Sequence, residues 1–178
     1  MRVFSSKTTT SAALFVLAGV CFGDEPQARL QKDHPELYSS FFFFVEDFSK
    51  WLDARVTQVP ANKTKLMQSA ARYLKVDPSE LPKLTASCRS VAATLRQIGG
   101  DGQKYWDGEQ KLQHSPDAEK VRQFSVKRQA AIQAGIDQLK NQLSKASWDG
   151  VYAHINGEHR ASIRLLPATT TAPATPRP

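Results

Sequence analysis

The sequence predicts an all-α fold: an elongated antiparallel helical hairpin or bundle between a cleaved signal peptide and a disordered tail. Three observations predict it. Apolar residues recur at helical spacing in several long stretches separated by Pro, Gly and Asn. No pair of alternating strands with a hairpin turn interrupts them. Both ends of the chain have compositions foreign to a packed domain.

The first end reads as a secretory signal. Arg2 and Lys7 make a basic start, residues 12–20 form an apolar run, and small residues Cys21 and Gly23 precede Asp24-Glu25. Cleavage is expected after Gly23. A lipid-anchoring signal is not expected, because Val20 intrudes between Gly19 and Cys21. The apolar run is about half of the ~20 residues that a membrane span needs. Of 178 residues, removing 23 (with Arg2, Lys7 and Cys21) leaves 155 residues, a net charge of +5 and Cys88 as the only thiol. A periplasmic or secreted location is expected, without a transmembrane segment after cleavage. A lone thiol gives no internal disulfide, so an apolar core must hold the fold.

Residues 24–34 are polar and expected to form a loose arm. An all-α domain is expected over 35–166. Pro35 suits a first helical turn, and Leu37, Phe41, Phe44, Val45, Phe48, Trp51, Leu52 and Val56 predict one apolar face up to Pro60. A second helix is expected over 63–74. Ser79 is the expected cap of the next, leaving Pro82 in the tolerated first turn. Leu81, Leu84, Cys88, Val91, Leu95 and Ile98 then alternate spacings of three and four, the seam of a helix that packs on another helix. Gly99-Gly100-Asp101-Gly102 is expected to stop it, with 103–114 a polar loop. The longest helix is expected over 116–144 and a last one over 148–155, ended by Asn156-Gly157. Residues 167–178 are rich in Pro, Thr and Ala and are expected to be disordered.

At two positions the chain resembles the Spy/CpxP-like periplasmic proteins, in which an L-T-x-x-Q motif opens a helix in each half of a helical hairpin. Val76-Asp77-Pro78-Ser79-Glu80 keeps an apolar first residue and a capping second, with Glu in place of Gln. Leu143-Ser144-Lys145-Ala146-Ser147 keeps the Leu and a hydroxyl residue, with Ser147 in place of Gln. The resemblance implies an ATP-independent periplasmic chaperone or a stress-sensor partner, without enzyme activity.

Candidate binding residues come from two local features. Phe41 to Phe44 span about 300° of a helix circumference, so they cannot share one face. Phe42 aligns with Glu46 and Ser49, and Phe43 with Asp47 and Lys50, which are polar faces. Phe42 and Phe43 are thus expected either to be covered by another part of the chain or to form an apolar patch for a client or second subunit. Charge is uneven: residues 24–59 hold 4 basic and 7 acidic residues, residues 60–178 hold 18 and 10. Lys127-Arg128 lies on the expected outer face of the long helix. Together Phe42, Phe43, Lys127 and Arg128 are the expected client- or partner-binding residues.

The remaining chemistry is sparse. His154, Glu158 and His159 come nearest to a metal-ligand spacing, but a helix break at Asn156-Gly157 is expected to separate them, so no metal or cofactor is expected and the histidines are expected at the surface. Cys88 on the seam is expected to be buried. No catalytic residues are expected, since no phosphate loop, dinucleotide fingerprint or nucleophile elbow occurs. Nucleic acid is not an expected partner, because basic and aromatic residues do not interleave. The expected function is an exported envelope binding protein that takes apolar or acidic segments of protein clients, or anionic envelope components, without ATP. The alternative is a structural or assembly subunit whose Phe-rich helix is a fixed oligomer (dimer) interface.

Overall fold

The computed structural model describes residues 33–163. The segments expected as signal peptide (1–23) and tail (167–178), and all but two residues of the arm (24–34), lie outside the described residues. Within them the chain is all-α and without strands. Helix α1 spans Pro35–Gln58, α2 Lys63–Leu74, α3 Leu81–Lys111, α4 Ala118–Gln142 and α5 Lys145–His154. A π-helical turn, Ile155–His159, leads directly into a last α-helical turn, α6 (Arg160–Ser162). No helix among the described residues is long and apolar enough to cross a membrane.

Three long helices make the body. Helices α3 and α4 pair antiparallel, with α1 laid against both. The predicted seam is the centre of this packing: Leu81, Leu84, Cys88, Val91 and Leu95 are all buried. Burial pushes the Cys88 thiol well above its ordinary pKa. Helix α2 folds back beside α1, the π-turn covers the side of α1 that α3 and α4 leave open, and α5 packs on α2 and α4.

Two glycines set how closely these layers approach. A Cβ at Gly135 in α4 would lie 2.7 Å from Val91 Cγ2 and 3.0 Å from Phe42 Cζ. A Cβ at Gly150 in α5 would lie 2.1 Å from the Lys75 carbonyl oxygen. Lys75 itself takes the left-handed conformation that ends α2, with φ 56°.

The helix limits differ from the expected ones at several places, each for a physical reason. Helix α3 does not stop at Gly99–Gly102 but continues to Lys111. Each glycine costs about 1 kcal/mol of helix propensity against Ala, yet packing against α4 offsets it. The Gly102 backbone faces the Phe124 ring, and the Tyr105 hydroxyl accepts the Asp117 N–H at 2.9 Å. The first helical residue of α3 follows Glu80, not Ser79, because Asp77 Oδ1 accepts the Ser79 N–H at 2.8 Å in a local turn. The expected helix 116–144 ends at Gln142, where Leu143 is extended and Ser144 caps α5. Asn156-Gly157 does not end α5, since the chain passes through both as the π-turn.

The buried face of α1 is also rotated from the expected one. Leu37, Tyr38, Phe41, Phe42, Val45 and Leu52 are buried, together with Ser39, Glu46 and Ser49. These polar residues are inside because three arginines meet them. Arg89 Nε donates to Ser49 Oγ at 2.8 Å and its guanidinium pairs with Asp53. Arg96 grips Glu46 with both terminal nitrogens. Arg128 donates to Ser39 Oγ at 2.7 Å and to both Glu36 oxygens. Ser39, Glu46 and Asp53 are seven apart, as are Arg89 and Arg96, so the pairing repeats every two turns along α1.

Candidate functional site: an aromatic row backed by two histidines

The face of α1 turned away from α3 and α4 carries a continuous row of rings. Phe44 stacks on Phe48 at 5.9 Å between centroids, and Phe48 stacks on Trp51 at 5.7 Å. Tyr73 of α2 joins it, 6.2 Å from Phe44 and 5.8 Å from Phe48. The spacing 44–48–51 keeps these rings on one side of the helix. Phe44 and Phe48 are half-buried, while Trp51 is 56% and Tyr73 49% exposed. The row therefore runs from the core out to solvent.

Its inner end rests on His154 and His159. His159 lies 5.4 Å from Phe44 and 5.6 Å from Phe41, and His154 lies 5.2 Å from Tyr73 and 6.1 Å from Phe41. The two imidazoles stack 6.5 Å apart. The π-turn makes this possible: it inserts the extra residue that turns His159 toward α1 beside His154. Both are buried, at 8% and 1% exposure, which corrects the expectation of surface histidines.

The surroundings disfavour protonation of both rings. Burial lowers the pKa of His159 to about 4, with the neighbouring His154 adding to the effect. Burial also lowers that of His154, with Lys75 adding to it and Glu158 opposing. Ser40 Oγ and His159 Nε2 share a hydrogen bond of 2.9 Å. His154 Nδ1 stands 3.4 Å from a Glu158 oxygen without forming a hydrogen bond, and neither of its nitrogens has a hydrogen-bond partner among the described residues. Glu158 is drawn instead to Lys75, at 2.8 Å. No group of three metal-ligating side chains converges among the described residues.

Beyond the row the surface is cationic. From Ala54 to Val76 the chain has no acidic residue and five basic ones: Arg55, Lys63, Lys65, Arg72 and Lys75. Arg55 lies one turn past Trp51 on the same side of α1. Arg55 bonds Gln58, and Lys63, Lys65 and Arg72 make no ion pair among the described residues.

The residues expected to bind a partner do not form a surface. Phe42 is fully buried, its ring filling the space that a side chain at Gly135 would need. Phe42 is core: of its two expected settings it takes the covered one, and it is not available to a partner. Phe43 is half-buried under the Arg96 guanidinium, 5.2 Å from the ring centroid. Arg128 is spent on Glu36 and Ser39. Lys127 is exposed, its ammonium 5.8 Å over the Phe124 ring. The residues that do form a surface, Phe48, Trp51 and Tyr73, have a signal in the sequence only in part: Phe48 and Trp51 read there as core.

The two segments 76–80 and 143–147 meet. The Ser147 hydroxyl accepts the Asp77 N–H at 3.0 Å, and Glu80 accepts the Ser144 N–H and hydroxyl at 2.9 and 2.8 Å. The fifth residue of each segment thus bonds the second residue of the other. The apolar first residues, Val76 and Leu143, are both buried. Compared with known protein families, curated proteins and solved structures, the chain matches none.

Proposed function

We propose that this chain is an exported binding protein that holds apolar segments of other polypeptides on the Phe44–Phe48–Trp51–Tyr73 row without using ATP. One observation carries the reading: a stacked aromatic face, continuous with the core, emerges half-exposed on one side of the molecule. Burying such rings under a client gives affinity, about 25 cal/mol per Å² of apolar surface before the costs of association. The acid-free basic stretch beside the row favours segments that also carry carboxylates and speeds their encounter. The signal-like residues 1–23 support a periplasmic or secreted location.

The test is light scattering of an aggregating, carboxylate-rich client with the full chain and with Trp51→Ser/Tyr73→Ser. Both substituted side chains are about half exposed, so the fold tolerates the change. The wild type is expected to suppress aggregation at stoichiometric amounts, and the double variant to lose most of that effect. Equal suppression by both proteins would contradict the proposed face. Failure of both to suppress, with a dimer that the substitutions split on dilution, would instead favour a fixed assembly interface on the same row.

A further inference from the structure

His154 is an anomaly that the aromatic row does not need. It is 1% exposed, neither ring nitrogen makes a hydrogen bond among the described residues, and Nδ1 has only a Glu158 oxygen near it, at 3.4 Å. A ring serving only as packing would be cheaper as Phe or Leu. Beside it His159 is held by one hydrogen bond, to Ser40, and by ring contacts with Phe41 and Phe44. His154 ends α5 and His159 closes the π-turn that follows, which contains Gly157, whose Cβ position is open. Turns of this kind mark functional sites in otherwise regular helices.

We propose that His154 and His159 form an acid-operated latch: protonation displaces the π-turn and α6 from α1, uncovers Phe41 and Phe44, and lengthens the aromatic row. The use made of the uncovered rings rests on the binding function proposed above; the displacement does not.

The groups facing the pair explain why it cannot hold two protons in place. Helix α1 presents Ser40, Phe41 and Phe44, and Asp33, just before it, bonds Asn156 of the π-turn and accepts the Tyr152 hydroxyl. Helix α2 presents the Tyr73 ring and, at its end, the Lys75 ammonium. The π-turn presents Glu158, already paired with Lys75, and Arg160 follows His159 in the chain. Glu158 is the one carboxylate within 4 Å of either ring among the described residues, and it stands against two imidazolium rings and a lysine, with the rings 6.5 Å apart. Peeling away residues 155–163 puts His159 in water and opens one side of His154.

The direction with pH follows. Both latched-state pKa values lie below the ordinary histidine value, so the displaced form binds more protons than the latched one. The latch is closed above pH ~6.5 and weakens as pH falls toward about 4. For His159 alone, a lowering from ~6.5 to about 4 favours the open form by roughly 300-fold once pH is well below 4, and by about half of that at pH 4 itself.

The test needs no client. The full chain is titrated from pH 7.5 to pH 4 while imidazole NMR signals, an apolar-surface dye and amide hydrogen exchange are followed. His154 and His159 signals, identified by their loss in His154→Phe and His159→Leu, are expected to titrate below the ordinary histidine value. Dye binding is expected to rise over the same interval, with amide protection lost in 155–163 while α3 and α4 stay protected. The double variant is expected to move the dye transition down by about one pH unit or more. His159→Gln, which keeps a hydrogen-bonding group for Ser40 but cannot charge, serves if the double variant does not fold, with the same downward shift expected. A dye transition at unchanged pH in the folded variant, or titration of both rings in wild type without any rise in dye binding, would overturn the latch. A latch that opens in a protein that binds no client would remove only the proposed function.

Discussion

The two ends of the molecule are built from the same helices and held by different physics. At the base, α1, α2, α5 and the π-turn surround the lower halves of α3 and α4, and burial is complete at Leu37, Phe41, Leu74, Leu84, Val151 and Ile155. Beyond the start of α1, α3 and α4 continue alone as an arm. From Gly99 to Ala131 no residue is buried. At 1.5 Å per residue the α3 side of this arm extends about 20 Å. It is held by local pairs, such as Arg122–Glu119 and Gln103–Asp107, and by the Tyr105–Phe124 contact at 6.0 Å. Partly exposed rings occur in both regions, as the single pair Tyr105–Phe124 on the arm and as a run of four at the base. Trp51 and Tyr73 both pack on Phe48, whereas on the arm Leu112 and Val126 share no such cluster. A surface able to grip an apolar segment needs contiguous rings, which is why the base carries the proposed site.

Glycine-to-alanine substitutions break this comparison most sharply, because one chemical change should have opposite signs in the two regions. Gly150→Ala drives a methyl group into the Lys75 carbonyl and is expected to destabilise by about 3 kcal/mol, the upper end of the overpacking range. Gly135→Ala meets the more yielding Val91 and Phe42 side chains, and about 1–2 kcal/mol is expected. On the arm, Gly100 and Gly108 have no atom within 4 Å of a Cβ. Each substitution there is expected to stabilise by about 0.5–1 kcal/mol, through helix propensity alone. Urea denaturation of the four variants gives all four values, and a stabilising Gly150→Ala would show that α5 does not pack on the end of α2.

The crossed segments 76–80 and 143–147 sharpen the account of the base through pH. The hydroxyl of Ser147, then the N–H and hydroxyl of Ser144, hold the Glu80 carboxylate below the usual glutamate range. A carboxylate depressed in the folded state adds stability above its unfolded pKa of about 4.5 and loses it as pH falls through the lower folded value. Glu80→Gln is therefore expected to flatten the stability profile below pH ~4.5 and leave its slope near neutrality unchanged. A profile identical to wild type would mean that the two segments do not meet in solution. This is a smaller effect than the buried-glycine clashes, because Glu80 lies at the surface of the contact.

How much of this was legible follows from which residues announce themselves. The seam Leu81–Leu95 reads directly, since apolar residues at spacings of three and four have no comparable use outside a helix interface. Helix α1 reads as a helix but with its face misplaced. A helical wheel treats Glu46 and Ser49 as exposed, whereas Arg96 and Arg89, fifty and forty residues away, bring them inside. The same shift moves Phe42 into the core and Trp51 out to solvent. Glycine in α3 reads as a stop because propensity is local, while the packing that overrides it comes from α4. The histidine pair was hidden by Asn156-Gly157, a turn signature that here lies inside a π-helical turn. Lengthening the Val151–Ile155 spacing by four gives His159, and by four again Ile163, which also packs on the core.

The binding claim can be tested most directly with the tryptophans themselves, which stand in three different settings. Trp51 ends the aromatic row, Trp106 is exposed on the arm, and Trp148 lies half-buried under Lys140. An unfolded, carboxylate-rich polypeptide would be titrated into the isotopically labelled full chain while the three indole N–H signals are followed. The account predicts that the Trp51 signal shifts or broadens while those of Trp106 and Trp148 hold still. Movement of Trp106 with Trp51 unchanged would place binding on the arm and contradict it.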